Sequence, residues 1–208
     1  MTTLVLSLSG GSVNASPNGS LGGERSSTTI TTDILQNILD NITRNEALVG
    51  RTEYRCIYVY NSSGTETSVT IELTGHPTLT NIAIGLDPAG KGNGTTNGVA
   101  TIIASESIVP TGVKFFGVES DGSYAGKLIL PIGVLKAGES VPFWVKRQTE
   151  TGPQSTITFN LVLQYNQNIT AGHSVDDGGA IGEIIDVDVV PTGGYVIGTA
   201  RVGFSDLG

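Results

Sequence analysis

Several residues have types and spacing that could do chemistry, and a phosphate-binding loop is the first candidate. Gly85, Gly90 and Lys91 have the spacing of such a loop and follow a predicted strand. Residue 92 is glycine, however, where magnesium binding needs serine or threonine, and the Gly- and Asn-rich stretch that follows is a poor start for a phosphate-binding helix. The sequence therefore predicts a long exposed loop here, with no bound cofactor.

Candidate metal ligands are few. His76 and His173 are the only histidines in the sequence, and neither has a second histidine or a cysteine at ligand spacing. An acidic cluster lies in a Gly-rich region, where carboxylates and carbonyl oxygens can bind calcium. Its members are Asp176, Asp177, Glu183, Asp186 and Asp188. Their spacing matches no known calcium loop, so we expect a solvated acidic surface and no metal site, with calcium as the alternative.

Catalysis by a nucleophile requires a serine, threonine or cysteine beside a base that a third group orients. Only the two histidines could serve as the base, and the sequence has no Gly-x-Ser-x-Gly motif. Cys56 lies in a strongly alternating strand, where a small buried hydrophobic residue is expected. Any sequence with several acidic residues could form the pair of carboxylates that glycoside cleavage requires, but no motif here supports such a pair. We expect no catalytic residues and no enzyme activity.

Aromatic residues in or near the predicted strands raise the question of carbohydrate binding. They are Tyr54, Tyr58, Tyr60, Phe115, Phe116, Phe143 and Trp144. Such side chains can form a platform for sugars, but aromatic residues within strands more often belong to a core or a subunit interface. A carbohydrate-binding module is kept as an alternative function.

Composition narrows the class of protein. Of 208 residues, 29 are glycine and only 14% are charged, which is typical of a turn-rich β protein. The net charge of −8 disfavours nucleic acid as a partner. The single Cys56 cannot form an internal disulfide. The apolar run Leu4–Leu6 is too short for a signal peptide or a membrane span, so we expect synthesis in the cytoplasm and no membrane partner.

The elements fall into three regions. Residues 1–27 are rich in Gly, Ser, Asn and Thr, with one possible strand at residues 3–8, and this composition predicts an extended N-terminal arm that orders on a neighbour. Residues 28–165 form the predicted body, which begins with a short amphipathic helix. Its apolar positions are Ile34, Leu35, Ile38, Leu39 and Ile42. Thr43 and Glu46 form a capping-box pair for a second short helix, which Gly50 would end.

From residue 52 the apolar pattern has a period of two. Tyr54, Cys56 and Tyr58 fall on one face of a strand and Arg55, Ile57 and Val59 on the other, which predicts a central strand. Further strands are predicted at residues 68–73, 82–86, 100–104, 113–118, 127–130, 141–147 and 155–165. This spacing favours a mainly β fold, an antiparallel β-sandwich or a jelly-roll-like body. Residues 166–208 form a C-terminal strand-rich extension, with strands at 181–190 and 195–204, which we interpret as a hairpin reaching away from the body.

Four segments resemble a group of poorly characterised virion structural proteins of tailed bacteriophages. They are residues 20–28 (SLGGERSST), 35–43 (LQNILDNIT), 52–61 (TEYRCIYVYN) and 143–147 (FWVKR). In order and spacing they look like the arm, the helix, the first central strand and a late basic strand of that family. The resemblance covers about residues 17–148, and the third segment is the most specific. The C-terminal extension departs from the family pattern, so its role is not implied.

The resemblance implies a particle component without catalytic residues. We expect a virion protein that partners the major capsid protein or other virion proteins, most simply as a capsid decoration, or cement, protein whose arm and β body tie the head shell together. A tail or baseplate protein is the alternative. We expect a homo-oligomer, with a trimer favoured and a dimer as the alternative.

Overall fold

The chain forms two antiparallel β-sheets that pack face to face. The structure is a computed structural model, and it describes residues 4–30, 38–39, 49–63, 67–75, 82–117, 127–149, 157–167 and 195–202. The strands are β1 (Leu4–Ser9), β2 (Arg25–Thr29), β3 (Arg51–Asn61), β4 (Thr67–Gly75), β5 (Ile82–Leu86), β6 (Phe116–Gly117), β7 (Lys127–Leu135), β8 (Ser140–Thr149), β9 (Ile157–Gln167) and β10 (Tyr195–Val202). A 3-10 turn spans Pro17–Gly19. The mainly β, antiparallel sandwich predicted from the sequence is thus confirmed, while the jelly-roll arrangement stays a prediction.

One sheet has six strands in the order β2-β1-β3-β8-β5-β6, and the other has four in the order β10-β9-β4-β7. Strand β3 is central, as its two apolar faces predict, and it pairs with β1 on one side and β8 on the other. The longest register runs from Arg51 opposite Thr149 to Tyr60 opposite Ser140. Strands β3 and β8 therefore share the longest paired segment of the larger sheet.

An inner core of mostly aliphatic residues fills the space between the two sheets. The larger sheet contributes Leu4, Leu6, Leu8, Ile57, Val59, Ile82, Ile84, Val141, Phe143 and Val145, and the smaller sheet contributes Val69, Ile71, Leu73, Leu130, Ile132, Leu135, Leu161 and Leu163. Within each strand these residues alternate, because every second side chain of a strand points to the same face. Their removal from water is the main stabilising contribution to the fold.

The opposite face of the larger sheet is covered by loops. Residues 10–24 and 87–115, here called the outer layer, lie over a second cluster formed by Tyr54, Cys56, Tyr58, Trp144, Ala100 and Ile103, with Leu21, Val113 and Phe115 packed against it. The two segments of the layer also bond to each other, since Gly23 N donates to Ala100 O (3.1 Å) and Ile103 N donates to Leu21 O (3.0 Å). At Gly22 a β-carbon would lie 1.8 Å from the carbonyl oxygen of Thr101, so this contact requires glycine.

The prediction of an extended arm over residues 1–27 is wrong for residues 4–9. The strand expected at residues 3–8 is present as β1, but it lies between β2 and β3, and Leu4, Leu6 and Leu8 are buried in the inner core. The small polar residues of this N-terminal region suggested a flexible chain, yet they form hydrogen bonds with one another. Gly22 N donates to Ser9 Oγ (3.1 Å), and Ser26 Oγ donates to Asn14 O (2.6 Å).

The C-terminal region also differs from its prediction. Strand β9 extends to Gln167, and β10 pairs with it along the edge of the smaller sheet, so residues 195–202 belong to the body and do not reach away from it. The strand predicted at residues 181–190 lies outside the described residues.

Two further predicted strands are changed by loop contacts. Residues 100–104 form no strand apart from a bridge between Ala100 and Gly23, because the amide groups of Ala100 and Thr101 donate to the side chains of Tyr58 and Asp87. Of the strand predicted at 113–118, the described residues 113–117 contain only β6, and residue 118 lies outside the described part of the chain.

The predicted helices lie mostly outside the described residues. Ile38 and Leu39 are described, and both are bends that bury their side chains in the inner core. Val49 is helical, and Gly50 has a φ of 70°, the left-handed conformation that commonly follows a helix C-terminus.

Candidate interaction surface and buried charge network

The residues with phosphate-loop spacing do not form a phosphate site. Gly85 lies in β5, and Lys91 Nζ donates to the carbonyl oxygen of Val134 (2.7 Å). In the following loop Asn93 Oδ1 accepts from the amide nitrogens of Thr95 (3.0 Å), Thr96 (2.8 Å) and Asn97 (3.2 Å). These three amides are therefore bonded to a side chain of the loop itself.

The other predicted ligands fall outside the described part of the chain. His76 and His173 lie there, and so do the acidic residues Asp176, Asp177, Glu183, Asp186 and Asp188. Among the residues that the structure does describe, no group of three or more His, Cys, Asp or Glu side chains is placed to hold a metal ion.

Cys56 is fully buried in the outer-face cluster. Burial raises the pKa of its thiol well above the ordinary value, and a hydrogen bond with Ser9 opposes this shift only in part. Because the thiolate is the nucleophilic form, this environment makes the thiol unreactive at neutral pH. The structure therefore places Cys56 as the small buried residue that its strand position predicted.

A buried ion pair joins the two central strands. Glu53 of β3 and Arg147 of β8 are directly opposite each other in the sheet, and each is 1% exposed. Arg147 Nε donates to Glu53 Oε2 (2.7 Å), and Arg147 Nη2 contacts the same oxygen. Two charges so far from water are stable only when paired with good geometry, and the two-point contact supplies that.

A second set of ionic contacts connects β3 to the outer layer. Glu106 of the layer bonds through its carboxylate to both Arg51 and Arg55 of β3. Arg55 is fully buried, and its Nη2 also donates to Asn18 Oδ1 (3.2 Å) in the other segment of the layer. The backbone contributes too, because Tyr54 N donates to Glu106 O (2.8 Å). We call Arg51, Glu53, Arg55, Glu106 and Arg147 the charge network.

Sequence reasoning missed the charge network, although one signal for it was present. Glu53 and Arg55 fall on the same strand face as Ile57 and Val59, which are buried. A charged residue in phase with an apolar face must either lie at the end of the strand or be paired inside the fold. The pairing partner Glu106, however, lies in a loop that is distant in sequence.

Of the seven candidate aromatic residues, Phe116 is 49% exposed and the other six are buried or half-buried, so they do not together form an exposed platform. Tyr58, Phe143 and Trp144 are fully buried, and Tyr54 is 5% exposed. Trp144 Nε1 donates to Asp87 Oδ2 (2.7 Å), and the same carboxylate oxygen accepts from Thr101 N (3.2 Å). Tyr58 donates to Gly23 O (2.7 Å) and accepts from Ala100 N (2.8 Å). The residue that motivated the carbohydrate-binding alternative, Trp144, is thus a core residue that anchors the outer layer.

Among the described residues, the exposed large apolar side chains are Val13 (91% exposed), Phe116 (49% exposed) and two further groups. Val49, Ile102, Ile108 and Val109, which we call the apolar rim, are 75%, 74%, 46% and 58% exposed. Arg51, two residues after Val49, bonds to Glu106, so the start of β3 lies beside the 102–109 segment. Ile129 and Val134 of β7, the β7 surface, are 43% and 38% exposed. Surfaces of this kind are candidates for subunit contacts.

Comparisons with known proteins add little to this picture. No family model matches the sequence, and no curated protein matches it. Among solved structures, a family 123 glycoside hydrolase from Clostridium perfringens, described for its hydrolysis of glycolipid glycans, is similar with a TM-score of 0.31 and 9% identity. The alignment covers 97% of this chain but only 27% of the hydrolase chain. A similarity at this level establishes neither a shared fold nor a shared activity. In the described residues, no helix is long and apolar enough to cross a membrane.

Proposed function

We propose that this chain is a non-enzymatic structural component of a tailed-bacteriophage particle, and that it decorates the head shell as a cement protein. The resemblance of four segments to virion structural proteins motivates the proposal. In the particle, the partner would be the major capsid protein or another virion protein. The contact is made by the folded body, because β1 is a sheet strand and not an arm.

One observation carries the proposal. The two resembling segments 52–61 and 143–147 are neighbouring strands, and the Glu53–Arg147 ion pair joins them inside the sheet. The charged residues Glu53 and Arg147 of these two segments therefore stabilise the sheet by pairing with each other. The carboxylates of Glu53, Glu106 and Asp87 accept hydrogen bonds from protein groups that hold the fold together. Residues used in this way favour a structural role over catalysis.

Reconstitution of head shells tests the proposal. Shells assembled without this chain are mixed with the purified full-length protein, and bound copies are located by electron microscopy and by antibody labelling of intact particles. We expect regular binding on the head and greater resistance of decorated shells to heat. Labelling confined to the tail, or no labelling of particles, would contradict the cement function.

A tail or baseplate location is the second candidate, and the position of β10 favours it. This strand lies at the edge of the smaller sheet, where a strand from a neighbouring subunit can be added by backbone hydrogen bonding. The same antibody labelling separates the two locations. The position of the gene provides an independent check, because a site beside the major capsid gene favours cement and a site among tail genes favours baseplate.

A further inference from the structure

The sequence contains three Asn-Gly pairs, and all of them lie in the outer layer. They are Asn18–Gly19, Asn93–Gly94 and Asn97–Gly98. Because glycine has no side chain to shield its amide nitrogen, this nitrogen can attack the carboxamide carbon of the preceding asparagine. The attack closes a five-membered succinimide ring, which water then opens to aspartate or isoaspartate. Each pair can therefore modify itself, and its surroundings permit or prevent the reaction.

In two of the pairs the amide nitrogen of the glycine is already bonded. Gly19 N donates to Ser16 O (3.0 Å), and Gly94 N donates to Asn97 O (2.9 Å). An amide that donates to a carbonyl oxygen must give up that hydrogen bond before its nitrogen can lose a proton and attack. These contacts therefore protect the first two asparagines.

The third pair differs at this nitrogen. Within the described part of the chain, Gly98 N donates to no protein acceptor. Gly98 also has a φ of 61°, and a β-carbon there would lie 2.6 Å from Gly92 N, so the fold requires glycine at this position. Asn97 is exposed, and water can reach its side chain. The pair thus combines an available nitrogen with a glycine that the fold cannot replace.

The side-chain oxygen of Asn97 is prepared for the reaction. It accepts a hydrogen bond from Asn93 N (2.7 Å). Attack on the carboxamide carbon places negative charge on this oxygen, and a donor that already points at it stabilises that charge. Asn93 has the same advantage, since its own Oδ1 accepts from three amides. The two neighbours are therefore distinguished by the hydrogen bond of the attacking nitrogen.

We propose that Asn97 is a site of spontaneous covalent modification, at which the amide nitrogen of Gly98 displaces ammonia from the asparagine side chain. The bond between Gly98 N and Cγ forms and the bond between Cγ and Nδ2 breaks, and the proton that Gly98 loses leaves with the ammonia. Water then opens the ring. Cleavage at Cγ gives aspartate and cleavage at the main-chain carbonyl carbon gives isoaspartate, and either product adds a negative charge at neutral pH. The reaction is independent of the proposed function, because it needs only this chain and water.

The loop that would change is attached to two strands. Gly94 O accepts from Arg25 N of β2 (2.7 Å), while Gly92 N donates to Ser140 O of β8 (2.9 Å) and Gly92 O accepts from Ser140 N (2.6 Å). Isoaspartate lengthens the backbone by a carbon atom beside these bonds. Formation of isoaspartate should therefore loosen the outer layer where it joins β2 and β8.

Peptide mass spectrometry of the folded full-length chain, after incubation in a mildly alkaline buffer, tests the proposal. We expect Asn97 to be converted about threefold to tenfold faster than Asn93 or Asn18, because each of these must first lose a hydrogen bond. The same chain incubated in concentrated urea is the matched control. Unfolding removes the protecting bonds, so the three rates should become similar.

Two variants give a second readout. Glutamine places the carboxamide one carbon further from the backbone, so Asn97→Gln cannot form the five-membered ring at this position, and Asn93→Gln is the control. Anion-exchange chromatography separates the more acidic product, which we expect to be lost in Asn97→Gln and to persist in Asn93→Gln. In the separated wild-type product, hydrogen exchange at the amides of Arg25 and Ser140 should be faster than in the unmodified protein.

Conversion of Asn18 or Asn93 in the folded chain as fast as that of Asn97 would overturn the proposal. An Asn97 that stays unmodified in the folded chain but reacts in urea would do so as well, and so would an acidic product that is undiminished in Asn97→Gln. A variant that fails to fold leaves the comparison of the three sites intact, because that comparison uses the wild type.

Discussion

The two faces of the six-stranded sheet are stabilised in different ways. The inner face packs against a second sheet through aliphatic side chains, and these contacts are non-directional. The outer face packs against loops through an aromatic cluster, and directional bonds from Tyr58 and Trp144 fix the loops in place. A sheet can present a regular apolar surface to another sheet, but loops carry backbone groups that need partners. The outer face therefore combines burial with specific polar contacts.

Deletion of residues 1–27 is expected to have the largest effect, because it removes β1 from the centre of the inner core. Three leucines that are at most 2% exposed leave together, and each contributes about 2–5 kcal/mol by comparison with single truncations. Their sum approaches the whole stability of a typical domain. Circular dichroism and urea denaturation should show no cooperative unfolding transition. A folded truncated body that merely fails to bind shells would restore the arm model.

Truncation of a single side chain in the inner core is expected to have the next largest effect. Leu6→Ala removes a fully buried side chain and leaves a cavity, so the free energy of unfolding should fall by about 2–5 kcal/mol. Val5→Ala is the control on the same strand, because Val5 is only partly buried. Urea denaturation compares the two, and equal losses would mean that Leu6 of β1 does not face the core between the two sheets.

The attachment of the outer layer is tested by Glu106→Gln, which keeps the shape of the side chain and removes its charge. Loss of charged contacts to Arg51 and Arg55 should lower the free energy of unfolding by about 1.5–3 kcal/mol. Hydrogen exchange at the amide of Tyr54, which bonds to Glu106 O, should accelerate as well. Glu24→Gln, at an exposed position, is the control. If both variants behave alike, Glu106 does not anchor the layer.

Alkaline pH should destabilise the fold through groups of the outer face, and this is the smallest of the expected effects. Burial raises the pKa of Cys56 above the ordinary 9.0 and that of Tyr54 and Tyr58 above 10.0. The folded state binds these protons more tightly than the unfolded chain, so this stabilisation is complete below pH 9.0 and is lost as the pH rises through the folded-state values. Thermal unfolding measured across this range should show a falling Tm only above pH 9.0.

Tyr58→Phe sharpens the pH experiment, because it removes one of the three groups together with its bonds to Gly23 and Ala100. We expect a lower Tm at neutral pH and a shallower decline above pH 10.0. Tyr60→Phe, at a partly buried position where the ring stacks on Arg25, is the control. An identical pH dependence in both variants would show that the outer face does not cause the alkaline loss of stability.

Alternating apolar residues were sufficient to predict the mainly β class and most of the strands. Tyr54 to Val59 indicated a central strand because both faces are apolar, and β4, β5, β8 and β9 follow the same rule. Cys56 was predicted to be buried for that reason. Such patterns can be read locally, since they depend only on which side chains share a face.

Other features depended on contacts between distant residues. Leu4, Leu6 and Leu8 are separated by Val5 and Ser7 in a segment rich in small polar residues, so only the partners β2 and β3 distinguish a buried strand from a flexible arm. The charge network joins residues of β3 and β8 with Glu106 of a loop, and its geometry follows from strand register. The apolar rim is exposed because Glu106 turns inward to Arg55 while its apolar neighbours remain outside. The sequence by itself thus determined most of the segments that become strands, and the tertiary structure decided which polar groups are buried, because pairing partners are chosen in space.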